Sequence, residues 1–215
     1  MAYDVVIFDL DGTLLDTLDD LMDSCNYALS TIGAPPRTRA EIRRFVGNGI
    51  RNLMLQAVPD GAANPKFEQA YETMQTWYKA HNQIKTAPYP GVQRLIRTLK
   101  QQGVPMAVVS NKPDASVQML VEQWFPEITF GLGEREGLRR KPERDMVDYA
   151  IAQLGQTGKK TVYVGDSEVD LTTAANAGLD CISVTWGFRD RALLVERGAK
   201  QFADTAEELL RLIQG

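Results

Sequence analysis

The chain has 215 residues, of which 44% are hydrophobic and 24% are charged. This composition can bury a full core, so it excludes the disordered and fibrous classes and suits one domain or one domain with an insertion. The formal net charge is -4, and no run of Lys or Arg is long enough to bind a phosphodiester backbone. Nucleic acid is therefore not expected as a partner.

No targeting or membrane segment is evident. The apolar stretch from Val5 to Phe8 is flanked by aspartates, so it cannot serve as the core of a signal peptide, and no later stretch reaches a membrane-spanning length. Cys25 and Cys181 are far apart, which argues against a disulfide framework. We expect a cytoplasmic protein without a membrane partner, either a monomer or a homodimer.

The first predicted elements are a strand and a long helical segment. Val5 to Leu10 is rich in β-branched residues and predicts a buried strand. From Thr17 to Lys85 no strand-like run occurs, and apolar residues recur only at helical spacing. A segment of this length is too long for a simple crossover. It predicts an inserted all-helical domain over residues 17-85, which we call the cap.

The rest of the chain alternates strands and helices. Apolar runs predict further strands at Val104 to Ser110, Ile128 to Leu132, Thr161 to Gly165 and Cys181 to Val184. Amphipathic stretches between them predict helices, and this alternation implies right-handed crossovers. The predicted fold class is α/β, with a doubly wound, Rossmann-like parallel sheet core over residues 1-16 and 86-215 and the helical cap inserted into it.

Two carboxylates lie at the end of the first predicted strand, one within it and one just after it. Strand periodicity places Asp9 and Asp11 on the same side of the chain, where they repel each other unless a proton or a divalent cation neutralises them. A bare pair of aspartates is also typical of a loop or a helix cap. Gly12 and Thr13, which follow directly, favour the functional interpretation, because a glycine lets backbone amides approach an anion closely.

Two further candidate positions lie after later strands. Ser110 and Asn111 could hold a phosphate oxygen at a helix entry, although Ser before Asn and Pro is also typical of a plain turn. Lys141 could supply a compact cation to a phosphate and a nucleophile, or it could belong to a solvated basic turn.

The last candidate position is an acidic one. Asp166 follows the strand that ends at Gly165, and Asp170 lies four residues on; Asp166 could bind a metal or cap the following helix. All these positions fall near the carboxyl ends of predicted parallel strands, where open α/β sheets bind their ligands. The set is suited to holding an oxygen-rich anion and a divalent metal.

In this order, the motifs resemble those of the haloacid dehalogenase-like hydrolase superfamily, in its branch with a helical cap of the C1 type. The motifs are Asp9-x-Asp11-Gly12-Thr13, Ser110-Asn111, Lys141-Pro142 and Gly165-Asp166-Ser167-x-x-Asp170. Within that branch the chain looks most like bacterial phosphoglycolate phosphatases, through Asp16-Thr17, Phe45 to Gly49 and Ser110 to Pro113.

The resemblance implies a magnesium-dependent phosphomonoesterase. Asp9 would attack phosphorus to form an aspartyl phosphate, and Asp11 would act as acid and then as base. Lys141 would be the third catalytic residue. The residue composition agrees with a carboxylate nucleophile, because the single histidine, His81, lies in the cap and cannot complete a Ser/His/Asp triad at the strand ends.

The resemblance also implies how the ligands are held. The phosphoryl group would be bound by Gly12, Thr13, Ser110 and Asn111. The Mg²⁺ ligands would be drawn from Asp9, Asp11 (through its backbone carbonyl), Asp166 and Asp170, the last of which acts through water or supports Lys141. Glu168 is either a surplus acid or a group that supports the metal ligands.

The expected substrate is a small phosphorylated metabolite, with 2-phosphoglycolate as the first choice. Its carboxylate would be received at Gly47, Asn48 and Gly49, with Arg43, Arg44 or Arg51 nearby; alternatively these glycines form a turn and the arginines face water. A sugar phosphomutase, or another phosphatase or pyrophosphatase of the superfamily, is the main alternative function. A non-catalytic binding module is a further one.

Overall fold

The computed structural model describes all 215 residues. The chain divides into two compact units, one made of Met1–Leu15 with Pro88–Gly215 and the other made of Asp16–Ala87. No helix combines the length and apolar character that crossing a bilayer requires.

The secondary structure alternates in the first unit and is helical in the second. The strands are β1 Val5–Phe8, β2 Leu15–Asp16, β3 Ala87–Pro88, β4 Met106–Pro113, β5 Phe130–Glu134, β6 Thr161–Gly165, β7 Asp180–Val184 and β8 Gln201–Ala203. The α-helices are α1 Leu18–Thr31, α2 Arg39–Phe45, α3 Gly49–Ala57, α4 Phe67–His81, α5 Val92–Gln101, α6 Asp114–Trp124, α7 Asp145–Gln153, α8 Glu168–Ala177, α9 Arg191–Glu196 and α10 Ala206–Gln214.

The first unit is built on a six-stranded sheet in the order β5-β4-β1-β6-β7-β8, and all its paired strands are parallel. The chain moves outward from β1 to β5, then returns to the other side of β1 and moves outward to β8. This reversal beside β1 creates the crevice where open α/β sheets bind ligands. The predicted fold class, a doubly wound parallel sheet, is confirmed.

Both faces of the sheet are covered. Val6 and Phe8 of β1 pack on one face with residues of α5, α6 and α10, whereas Val5 and Ile7 pack on the other face with residues of α7 and α8. All four β1 residues are fully buried. This explains why the strand is apolar without alternation, as expected when helices cover both sides of a parallel sheet.

The predicted strands differ from the observed ones at their ends. β1 stops at Phe8, not at Leu10, because the Leu10 carbonyl accepts turn hydrogen bonds from the amides of Thr13, Leu14 and Leu15. β4 continues to Pro113, and its register with β5 shifts between Val109 and Pro113. Such an irregularity redirects side chains. The edge strand β8 was not predicted, because a segment of three residues is too short to show the alternation of apolar and polar residues that marks a strand.

The second unit contains α1 to α4 and a short 3-10 helix, Gly61–Ala63. α2 begins with a capping box between Thr38 and Glu41. The buried Asp20 carboxylate on α1 accepts hydrogen bonds from the backbone amides of Lys85 and Thr86 and from the Thr86 hydroxyl, at 2.8 to 3.0 Å. Asp20 therefore fixes the end of this unit to its first helix.

Candidate active site

The loop after β1 is held by the sheet and by its own turn. The Asp9 amide donates to the Val164 carbonyl of β6 at 2.9 Å, which aligns Asp9 with the end of that strand. Gly12 has a φ of 88°, and a Cβ there would lie 2.3 Å from Oδ2 of Asp166. Only glycine fits this close approach. The buried Thr13 hydroxyl has no partner, so it is available to a ligand.

Lys141 is the cation of the site and is almost completely buried. Its Nζ donates to Oδ1 of Asp9 at 2.8 Å, to Oδ1 of Asp170 at 2.8 Å and to the Tyr163 hydroxyl at 3.0 Å. Burial would by itself lower the pKa of this ammonium, but the charges of Asp170 and Asp9 outweigh it and raise the pKa well above its usual value. Lys141 is thus a fixed cation.

Asn111 fixes the backbone of Lys141. Its side-chain amide donates to the Lys141 carbonyl at 3.1 Å and accepts from the Lys141 amide at 3.0 Å. This reciprocal pair ties the irregular part of β4 to the segment that carries the lysine. Asn111, predicted to bind phosphate, is therefore used by the protein to position Lys141, and Ser110 beside it is buried with its Oγ accepting from the Lys112 amide.

The start of α8 is organised by Asp170. Its Oδ2 accepts from the Asp166 amide at 3.2 Å, the Ser167 amide at 3.1 Å and the Ser167 hydroxyl at 2.6 Å, while Oδ1 accepts from Lys141. Ser167 and Asp170 form the capping box of this helix. The alternative in which Asp166 caps the helix is therefore wrong, because the cap lies one residue later.

Asp9, Asp166 and Asp170 offer carboxylate oxygens that all lie within 4.8 Å of one another. Burial, partly opposed by Lys141, raises the pKa of Asp9 to about 7. Burial, together with the charges of Asp170 and Asp9, raises the pKa of Asp166 well above its usual value. One lysine thus fails to balance three carboxylates, and this deficit is what a divalent cation would correct.

Two oxygens in this cluster remain available. Asp170 uses both of its oxygens within the protein, whereas Oδ1 of Asp9 faces Lys141 and Oδ2 of Asp166 accepts from the Phe188 amide at 2.5 Å. No hydrogen bond reaches Oδ2 of Asp9 or Oδ1 of Asp166. The donor set therefore fits a hard, oxygen-binding cation, with Asp170 better placed to support Lys141 than to bind metal directly.

Asp11 lies apart from this cluster. Its two carboxylate oxygens lie 2.9 and 3.2 Å from Nζ of Lys112, whose side chain is only 2% exposed. Asp11 could therefore contribute to a metal only through its backbone carbonyl. The sequence did not single out Lys112, although its position directly after Ser110 and Asn111 was the available signal.

The other predicted residues lie in the helical unit. Gly47 and Asn48 lie between α2 and α3, Gly49 is the first residue of α3, and both glycines have positive φ. His81 ends α4, and its ring stacks on Trp77 at a centroid distance of 3.9 Å.

The segment after β7 was not predicted to take part in the site, although it follows a strand end. In this segment the Trp186 indole donates to the Thr13 carbonyl at 3.0 Å.

Comparison with known proteins agrees with this geometry. The family model described as haloacid dehalogenase-like hydrolase matches residues 6–184. The chain belongs to this family. It is 32% identical to a phosphoglycolate phosphatase of Pseudomonas putida over 86% of this chain and 70% of the relative. It is 32% identical to one of Agrobacterium fabrum over 86% of this chain and 82% of the relative.

Solved structures give the same result. A protein from Lactobacillus delbrueckii subsp. bulgaricus, proposed to be a phosphoglycolate phosphatase, is 39% identical with a TM-score of 0.94 over 99% of both chains. A predicted phosphoglycolate phosphatase from Haemophilus somnus is 26% identical with a TM-score of 0.90 over 99% of this chain and 98% of the other. The recognised family and the enzyme class, a phosphatase-type hydrolase, are thus confirmed.

The charge imbalance predicts opposite effects of two substitutions on the stability of the metal-free protein. Lys141→Met leaves Asp9 and Asp170 buried without a cation and should lower the free energy of unfolding by about 3–5 kcal/mol. Asp166→Asn removes one repelling charge and keeps an acceptor for the Phe188 amide, so it should hold or raise stability. Urea unfolding in excess chelator measures both; a large loss in Asp166→Asn would contradict the imbalance.

Proposed function

We propose that this phosphatase hydrolyses phosphate monoesters through an aspartyl phosphate on Asp9 and requires Mg²⁺. The observation that carries the proposal is the state of the Asp9 carboxylate. Oδ1 is held by Lys141 at 2.8 Å, and no hydrogen bond reaches Oδ2. One oxygen is thus oriented while the other is available as a nucleophile, and an ionised carboxylate needs no general base.

In the first step, Oδ2 of Asp9 attacks phosphorus and the bond between phosphorus and the leaving-group oxygen breaks. That oxygen takes a proton from Asp11, so the alcohol leaves neutral. The Thr13 hydroxyl, which lacks a partner, and the Ser110 hydroxyl are proposed to donate to the phosphoryl oxygens, together with the amides of Gly12 and its neighbours. Lys141 stays on Asp9 and keeps the remaining carboxylate oxygen in place.

In the second step, water attacks the phosphorus of the aspartyl phosphate. Asp11, now ionised, accepts a proton from this water, and the phosphorus–oxygen bond to Asp9 breaks to release inorganic phosphate and restore the free carboxylate. Lys112 beside Asp11 supports this role, because its Nζ lies 2.9 Å from Oδ1 and holds the Asp11 carboxylate in a defined orientation.

Asp9 and Asp166, with the backbone carbonyl of Asp11, are proposed to hold Mg²⁺, and Asp170 is proposed to support Lys141. The ion would neutralise charge on the transferring phosphoryl group and so lower the barrier. Support comes from the cluster of three carboxylates with only one lysine. This assignment narrows the predicted ligands by giving Asp170 a supporting role.

The proposed substrate is 2-phosphoglycolate, which carries a carboxylate beside the phosphate ester. Support comes from the similarity of the chain to phosphoglycolate phosphatases. The proposed carboxylate site is Gly47, Asn48 and Gly49 in the helical unit. There the N-terminus of α3 begins at Gly49, and Arg51 is paired with Glu68, so it is not free for a substrate.

The main alternative, a sugar phosphomutase, shares the whole core and differs in how the second end of the substrate is bound. A dehalogenase of the same family would lack the acid at Asp11. The presence of Asp11 therefore favours phosphate chemistry over dehalogenation.

The covalent step can be observed directly. With ³²P-labelled aryl phosphate and acid quenching, the wild type should carry protein-bound phosphate that hydroxylamine releases, as expected for an acyl phosphate. Asp9→Asn should carry none and show no turnover. Asp11→Asn should lower kcat by about 10²–10⁴-fold and accumulate the label, since water activation is lost while the aryloxide can leave without a proton from Asp11. Asp148→Asn, a surface control, should behave as wild type. Protein-bound phosphate on Asp9→Asn, with deamidation excluded by mass spectrometry, would refute the assignment of Asp9 as the nucleophile.

Metal dependence gives a second test. Chelator should abolish turnover, and added Mg²⁺ should restore it. Mg²⁺ should also raise the Tm of the wild type by binding only the folded protein, and it should leave the Tm of Asp166→Asn nearly unchanged. Full turnover in excess chelator would show that the chemistry is metal-independent.

Substrate preference can be measured on a panel of phosphate esters. We expect kcat/KM for 2-phosphoglycolate to exceed that for glucose 6-phosphate by at least about tenfold, which corresponds to about 1.4 kcal/mol. Ethyl phosphate, which lacks only the carboxylate oxygens, is the matched control and should also be poorer. If kcat/KM for a hexose phosphate or pyrophosphate exceeds that for 2-phosphoglycolate by a similar factor, the proposed substrate preference is refuted. The proposal of an aspartyl phosphate intermediate would not be affected.

A further inference from the structure

The segment Trp186–Arg189, which follows β7, contacts the site at three points. The Trp186 indole donates to the Thr13 carbonyl at 3.0 Å, and the Phe188 amide donates to Oδ2 of Asp166 at 2.5 Å. The Arg189 guanidinium donates to both carboxylate oxygens of Glu168, at 2.8 and 3.2 Å. No motif of the sequence assigned a role to this segment.

The ion pair between Arg189 and Glu168 has the geometry of a clamp. The Arg189 side chain is only 8% exposed, and Glu168 is 32% exposed. A guanidinium with two parallel contacts to a carboxylate is oriented as well as attracted. Glu168 is the first residue of α8 and stands two positions after Asp166. The pair therefore joins the segment to the helix start that carries Asp166.

The packing around Asp166 leaves little freedom. A Cβ on Gly187 would lie 2.4 Å from the Asp166 Cβ and 2.4 Å from the Gly12 carbonyl oxygen. The backbone of the segment is thus in direct contact with the side chain of Asp166. A shift of the segment would move the Phe188 amide and remove the hydrogen bond that orients Oδ2.

We propose that Arg189 is a positioning residue for the metal: by clamping Glu168 it holds the Phe188 amide on Oδ2 of Asp166 and so directs Oδ1 toward the cation. The inference rests on the proposed function, because it takes Asp166 as a Mg²⁺ ligand. Groups that orient a metal ligand typically change metal affinity by about 10–100-fold when they are removed.

A simple charge effect makes the opposite prediction. Arg189 is a cation near a divalent-cation site, so if it acted only through its charge, its removal would strengthen metal binding. If it acts as a clamp, its removal weakens metal binding. The sign of the change in affinity therefore separates the two roles.

The test measures the Kd of Mn²⁺, which accepts the same oxygen ligands, from the free Mn²⁺ signal in electron paramagnetic resonance. Arg189→Met should raise this Kd by about tenfold. Arg189→Lys keeps the charge but loses the two-point contact, and it should also raise the Kd. Glu168→Gln should raise the Kd in the same way, because it breaks the same ion pair. The Kd of the double variant Arg189→Met with Glu168→Gln should therefore be about that of the single variant with the higher Kd.

The kinetic readout separates positioning from general damage. At saturating Mg²⁺, kcat of Arg189→Met should stay within about twofold of the wild type, while the Mg²⁺ concentration for half-maximal activity rises in parallel with the Kd. Arg191→Met, which breaks the exposed pair with Asp204, is the matched control and should change neither. An unchanged or lower Kd in Arg189→Met would overturn the proposal, as would an unchanged Kd in Arg189→Lys if Arg189→Met does not fold.

Asp166→Asn distinguishes this failure from failure of the proposed metal site. If Asp166→Asn loses Mn²⁺ binding and both Arg189 variants keep it, only the clamp is refuted. If Asp166→Asn itself binds Mn²⁺ as tightly as the wild type, Asp166 is not a metal ligand and the proposed site is refuted with the clamp.

Discussion

Lys141 forms ion pairs with Asp9 and Asp170 at the same time, each at 2.8 Å, and all three side chains are almost completely buried. Its position therefore constrains several other elements. Asn111 on β4 fixes the Lys141 backbone. The Tyr163 hydroxyl on β6 accepts a hydrogen bond from the Lys141 ammonium and donates to the Val109 carbonyl at 3.1 Å. The lysine thus links three neighbouring strands and the start of α8, so the stability of the core and the geometry of the site depend on one buried charge.

The strand ends supply the clustered polar residues and the groups that orient them. At the end of β4, the Ser110 hydroxyl accepts from the Lys112 amide, Asn111 positions Lys141 and Lys112 pairs with Asp11. At β6, Asp166 is left with a free oxygen because Asp170 takes over the helix cap. This division has a physical reason, since a buried carboxylate can act on a ligand only if other groups satisfy the backbone donors around it.

The three clustered carboxylates Asp9, Asp166 and Asp170 all lie in the α/β unit. Their hydrogen-bond partners Lys141, Ser167 and the Phe188 amide belong to the same unit. The family similarity covers residues 6–184 and so includes the motifs and the insertion alike. Because the motifs are shared by the family, they do not by themselves determine specificity within it.

The sequence by itself determined the fold class, the helical insertion and the candidate residues at strand ends, because apolar runs, helical spacing and motif order are local properties of the chain. Only the tertiary structure decided how these residues pair. Asp9 and Asp11 are two positions apart, yet they contact Lys141 and Lys112 respectively, and Arg189 meets Glu168 across 21 positions. Such pairings follow from which strands are neighbours and where the chain turns, and no local period encodes either.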